Sequence, residues 1–293
     1  MARRVAKVET LRTQTEGGGF TIRRSIGSAF SSEETDPFLM LDELPLTTYR
    51  PGEFPGAPWH PHRGMDTVMY FKRGEGSHED SMGNKGTLRA GDCQWMTAAS
   101  GVEHNEGTGH PGGELHGFQM WINLPRAHKM DPPAYNDISA AAIPSAEVAP
   151  GVTAKVLAGA CGPLSAAVQP IQPIQYIDFA CAAGAAFEHA LGAEMETCVV
   201  HVYEGEVLLG PDRVAVRAGQ AALLAPGGGA AGALAFVAGA RGAGFLCLAG
   251  QPIREPICWH GPFVMNTRAE IQQCMREYQN GTFIKHKAAA RRL

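Results

Sequence analysis

Apolar residues in this chain fall in short runs that glycine-bearing turns interrupt roughly every 8–15 residues, the spacing of strands in a sandwich or barrel. Residues 67–71, 117–122, 198–202 and 244–248 are such runs, and each suits a buried strand. Helical periodicity is confined to the end of the chain. There Thr267-Arg268-Ala269-Glu270 has the form of a capping box, and Ile271, Met275 and Tyr278 follow at i, i+4 and i+7. That pattern predicts one helix of about three turns carrying the three residues as its apolar stripe. The expected fold class is all-β with a short C-terminal helix.

The pattern also repeats. Residues 67–76 (TVMYFKRGEG) resemble 197–206 (TCVVHVYEGE), and Arg89-Ala90-Gly91-Asp92 resembles Arg217-Ala218-Gly219-Gln220 before the next apolar run. An internal duplication of one β-barrel unit accounts for this. Between Pro125 and Gly151, Pro132-Pro133, an alanine cluster, Pro144 and Pro150 read as a connector. The expected division is residues 1–134, an N-terminal barrel, and residues 135–293, a C-terminal barrel that carries the helix.

Composition narrows the class. The chain has 293 residues, 44% of them apolar and 18% charged, enough for two packed cores and too apolar for disorder. A net charge of −4 with scattered basic residues argues against direct nucleic-acid binding. The basic stretches Arg3-Arg4, Lys285-His286-Lys287 and Arg291-Arg292 read as solvated ends. No apolar segment follows the charged start, and Pro226 and Arg241 break the most apolar stretch, residues 221–250. Neither a secretory leader nor a membrane helix is expected. Seven cysteines without a C-x-x-C pair read as reduced thiols in a cytoplasmic chain, nuclear as well in a eukaryote. A monomer is expected.

The chemistry concentrates between Trp59 and Glu106. In His60-Pro61-His62 the two imidazoles are i and i+2, so an extended backbone points both to one face. About forty residues later His104-Asn105-Glu106 places a third imidazole and a carboxylate in the same relation. On adjacent strands the four would converge. A mixed nitrogen and oxygen set suits iron, manganese, cobalt, nickel, copper or zinc and disfavours calcium or magnesium. His78 is expected at the mouth of this site. His116, His189 and His201 are expected to be structural, and His110, His128, His260 and His286 solvated or capping. In the second half Leu191 and Ala193 stand where His60 and His62 would be by the repeat, and Pro226-Gly227-Gly228-Gly229 replaces the second pair. No nucleophile elbow, P-loop or H-E-x-x-H is present.

Longer strings sharpen the picture: Arg23-Arg24-Ser25-Ile26-Gly27, Asp36-Pro37-Phe38-Leu39, His60-Pro61-His62-Arg63-Gly64, Gly91-Asp92-Cys93-Gln94-Trp95-Met96-Thr97-Ala98, Gln119 with Trp121, and Gly261-Pro262-Phe263-Val264-Met265-Asn266-Thr267. Together they resemble the pirin family, two-barrel members (bicupins) of the cupin superfamily. The resemblance implies two tandem jelly-roll type barrels, with a degenerate, metal-free second one. It implies one transition-metal ion, iron(II) first, with manganese, nickel, copper or zinc as alternatives, held by His60, His62, His104 and Glu106. Met65-Asp66 departs from the family's Phe-Glu, and Glu103 stands where an apolar residue is usual and is expected to face away from the metal.

Two functions follow from the resemblance. One is a quercetin-type flavonol 2,3-dioxygenase, an oxidoreductase that opens the ring with O2 and releases carbon monoxide. Glu106 would then take the substrate proton, with Asp66 as the alternative base, and Trp95, Met96 and Phe71 would form apolar walls for a flat aromatic. The other is a redox-sensitive transcriptional co-regulator working through a protein partner without turnover.

Overall fold

The computed structural model describes residues 1–286 and 289–293, so Lys287 of the basic C-terminal stretch lies outside the described residues. The fold is mostly β-strand, nearly all of it paired antiparallel, with one α-helix among the described residues. All four apolar runs noted above lie inside strands, Met65–Arg73, Gly113–Asn123, Thr197–Leu209 and Gly232–Gly250. The turn glycines of the repeat, Gly74 and Gly205, have φ of 81° and 65°. A side chain rarely adopts that left-handed conformation, which is why glycine recurs there.

The chain forms two compact units, each discontinuous in sequence. One comprises residues 13–23, 39–140 and 253–293, the other residues 1–12, 24–38 and 141–252. A single boundary at 134/135 therefore does not describe them: the helix belongs with the N-terminal barrel, and the first strand, Val5–Thr10, with the C-terminal one. Residues 125–151 are also more than a connector. Ala134–Ile138 pairs antiparallel with Cys93–Thr97 in the first unit, and Ser145–Ala149 with Val152–Ala158 in the second.

In the N-terminal barrel a four-stranded sheet runs in the order Ala57–His62, Val102–Thr108, Glu75–Asp80, Lys85–Arg89. A larger sheet includes Gly113–Asn123, Met65–Arg73, Cys93–Thr97 and Ala134–Ile138 as successive neighbours. The helix, Arg268–Gln279, starts at the predicted capping box: Thr267 Oγ1 accepts from the Glu270 amide at 3.2 Å, and Glu270 Oε2 accepts from the Thr267 amide at 2.8 Å. Its buried face is Ile271 and Cys274, whereas Met275 and Tyr278 are exposed. The stripe is rotated toward Cys274 because that side packs on the buried Arg63 and Phe283.

The C-terminal barrel is built on a sheet ordered Val5–Thr10, Gln220–Leu224, Thr197–Leu209, Gly232–Gly250, Ile174–Cys181, Val152–Ala158, Ser145–Ala149, with Ala186–Leu191 pairing Gly232–Gly250. Its core is apolar, including Val156, Phe179, Leu191, Val200 and Phe245. His189 and His201 are held structurally, by Gln175 Oε1 at 2.8 Å and Ser25 Oγ at 3.1 Å. Among the described residues no helix is long and apolar enough to cross a membrane.

Candidate metal centre

The two His-bearing strands of the N-terminal barrel are hydrogen-bonded neighbours. His104 lies opposite His60, and Val102 opposite His62, so all three imidazoles leave one face of the sheet. One ligand atom from each of His60, His62 and His104 can be chosen so that all three lie within 4.8 Å of one another. The spacing argument for these three is met. Glu106 is not part of that cluster. Against Glu75–Asp80 the register runs unbroken from His104 to Glu106, so the two keep their i, i+2 relation, and the irregularity lies in the neighbouring strand, where three steps from His60 to Ala57 match the two from His104 to Glu106.

Local bonding sets the imidazoles' chemistry. His60 Nδ1 lies 2.7 Å from the Pro58 carbonyl, which can only accept, so Nδ1 carries the proton and Nε2 offers its lone pair. His104 Nε2 faces that atom at 3.1 Å. Neither ring nitrogen of His62 has a hydrogen bond of ordinary geometry, and His104 Nδ1 has none either, although both residues are 1% exposed. Burial first, then the neighbouring imidazoles, holds His62 and His104 well below the usual imidazole range. Burial lowers His60 too, against the pull of the Pro58 carbonyl. Three neutral rings with converging lone pairs and unpaired buried nitrogens fit a cation between them. Burial also pushes the Glu106 carboxyl up to about 7.

The remaining residues sort by face. Thr67 pairs with Trp121, whose ring meets His62 edge-on at 5.0 Å, so the Thr67 side of Met65–Arg73 faces the imidazoles. Asp66 is on the opposite side. Its Oδ2 accepts from Trp95 Nε1 at 2.9 Å, and burial raises it to about 6 against that bond and one from Thr97. Adjacent residues in a strand point oppositely, so neither Asp66 nor Trp95 lines the site, whereas Met96 and Phe71 share the inner side. Glu103, opposite Pro61, leaves the face away from His104.

His78 is not at a mouth. It is 4% exposed, faces Tyr135 with ring centroids 6.4 Å apart, and has Nε2 3.4 Å from Asp137 Oδ2. His110 is 2% exposed rather than solvated, with Nδ1 donating to the Glu75 carbonyl at 2.9 Å. Sequence reasoning gave no role to the Tyr135 hydroxyl or the Gln119 amide, both buried without a partner. No spacing rule marks them, because strand pairing with distant Met69 and Met96 brings them to this face.

Comparison with known proteins agrees with this architecture. Residues 19–122 match the pirin family model, and residues 176–284 match the model of the pirin C-terminal cupin domain. The chain belongs to the pirin family. It is 37% identical to mouse pirin over 272 residues, covering 92% of this chain and 90% of that one. Among solved structures, a quercetin 2,3-dioxygenase from Acinetobacter baumannii superposes with a TM-score of 0.88 at 32% identity, covering 97% and 99% of the two chains. A bacterial pirin from Escherichia coli, solved in complex with nickel(II), shares the fold at 19% identity with a TM-score of 0.60, covering 84% and 99%.

Proposed function

We propose that this pirin is a metal-dependent dioxygenase of the quercetin 2,3-dioxygenase type, acting on a flavonol or similar enolic aromatic with O2. The convergence of His60, His62 and His104 on one point inside the N-terminal barrel carries the reading. Its relation to a structure described as a quercetin 2,3-dioxygenase supports the substrate class. Iron(II) is the proposed ion, held by the three imidazoles with Glu106 as the fourth ligand. When bound it would act as a Lewis acid toward an enolic hydroxyl and as the partner for O2.

The protein's own groups do the rest. The Pro58 carbonyl fixes the His60 tautomer, so no proton has to leave that ring before it can ligate. Trp121 walls the site beside His62 with a flat apolar surface, which suits a planar ligand. Glu106 is the proposed acceptor of the substrate's hydroxyl proton. A bound cation beside it would keep that carboxyl ionised, with an oxygen free to accept the proton.

The test is oxygen uptake and carbon monoxide release by iron-loaded protein given quercetin in air. Turnover is expected in the wild type and absent in His62→Ala that keeps its thermal transition. Iron-loaded wild type that consumes neither quercetin nor oxygen overturns the reading.

A further inference from the structure

Two glutamines lie on one cross-strand row of the sheet face that looks toward the histidines. Gln119 pairs with Met69, and Met69 with Gln94. Gln94 is satisfied within the protein: its Nε2 donates to Asp137 Oδ1 at 3.0 Å. Gln119 is not. It is 7% exposed, and neither its Oε1 nor its Nε2 has a partner. Buried carboxamides are normally paired, and one left bare at both ends costs stability that a methionine of similar volume would avoid. Its cross-strand neighbour Met69, on the same face, is buried and apolar, so that face accommodates such a side chain. Two positions along, on the same side, Trp121 touches His62.

We propose that the Gln119 carboxamide is the polar contact that selects and orients the aromatic substrate. This rests on the dioxygenase reading above and adds the group that the substrate must present. One carbonyl acceptor and an NH2 donor side by side match a hydroxyl beside a second oxygen, as in a catechol or a hydroxyl next to a ring carbonyl. Trp121 takes the flat face, His60, His62 and His104 define the reacting end, and Gln119 reads the oxygen pair on another part of the ring system. A site built to hydrogen-bond a hydroxyl discriminates strongly against an analogue that lacks it, because the protein group is then left unpaired.

The experiment is anaerobic equilibrium binding of quercetin and of unsubstituted 3-hydroxyflavone to metal-loaded wild type, Gln119→Met and Gln119→Glu, followed by tryptophan fluorescence. Metal content and thermal midpoint are measured on each sample. Gln119→Met is expected to keep its metal, to melt at or above the wild-type midpoint, and to bind quercetin about tenfold or more weaker. Its affinity for 3-hydroxyflavone should stay near the wild-type value. Gln119→Glu, which keeps acceptors and loses donors, should fall between the two for quercetin. Equal quercetin affinity in wild type and Gln119→Met, or an equal loss for both flavonols, overturns the assignment while leaving the dioxygenase reading intact. Wild type that binds neither flavonol removes that reading, and Gln119's role with it.

Discussion

His60 and His104, 44 residues apart in sequence, face each other Nε2 to Nε2 at 3.1 Å inside the N-terminal barrel. Two nitrogens bonded at right angles to one ion at about 2.1 Å lie about 3 Å apart. The observed separation is thus what shared ligation requires, and the neutral rings need lose no proton to provide it. A transition metal should therefore stabilise the fold in proportion to its free concentration, by about 2.7 kcal/mol at a hundred times its Kd. His62→Ala should lose most of that gain and bind less than one equivalent. Thermal shift against added metal, with metal analysis of the same samples, checks both. An unchanged transition on metal addition to chelator-stripped wild type would remove the site.

Much of this was legible in the sequence because it depends on local rules. His60 and His62 share a face by strand alternation, and Thr267 and Glu270 cap the helix by spacing alone. What failed depended on long-range pairing. Nothing local says that Asp66 turns toward Trp95 and away from the imidazoles. His78 was misplaced for the same reason: a histidine in a polar glycine-bearing segment looks exposed until Tyr135 and Asp137, from a distant strand, enclose it. The helix stripe shifted because its partner is a guanidinium from residue 63, and hydrophobic periodicity does not register a charged partner.

Arg63, next to His62, is 1% exposed, and each of its three guanidinium nitrogens is bonded. Its Nε donates to the Ser100 carbonyl at 2.6 Å, Nη1 to Glu277 Oε2 at 2.7 Å and Nη2 to the Phe283 carbonyl at 2.8 Å, with the guanidinium 4.2 Å from the Phe283 ring centroid. It ties the His62 strand to the turn before His104 and to the C-terminal helix. Removing one partner of such a buried pair strands the other, so Arg63→Met should cost about 3–5 kcal/mol in urea unfolding. Lysine cannot replace the forked geometry, and Arg63→Lys should recover little of the loss. A midpoint within error of wild type for Arg63→Met would show that the staple carries no load.

The same pair gives a pH signature. Partial burial works upward on Glu277, but hydrogen bonds from Gln273, Arg63 and Lys285 outweigh it and hold the carboxyl at about 2. A glutamate whose folded pKa lies below its unfolded value of about 4.3 contributes stability that is complete above the unfolded value. That contribution is lost as pH falls toward the folded one. Between pH 5 and pH 2 the wild type should therefore lose more stability than Glu277→Gln, and above pH 6 the gap between them should be constant. Parallel stability curves across the acid range would contradict the assignment.

Gly86 lies opposite His78 in the strand Lys85–Arg89, where a Cβ would come 2.5 Å from His78 Nε2 and 3.0 Å from Asp137 Oδ2. The imidazole cannot swing aside freely, because it is buried between Tyr135 and Asp137. Gly86 has no left-handed φ, so alanine there brings a small backbone-entropy gain of about 0.4–1 kcal/mol, set against an overpacking cost of about 1–3 kcal/mol. Gly86→Ala should be destabilising on the wild-type background. On a His78→Ala background only the 3.0 Å approach to Asp137 Oδ2 remains, and the same change should be clearly less destabilising. A double-mutant cycle in chemical denaturation reads the coupling directly. Additive effects of the two substitutions would mean that His78 does not occupy the space over Gly86, and the enclosed position assigned to it would fall.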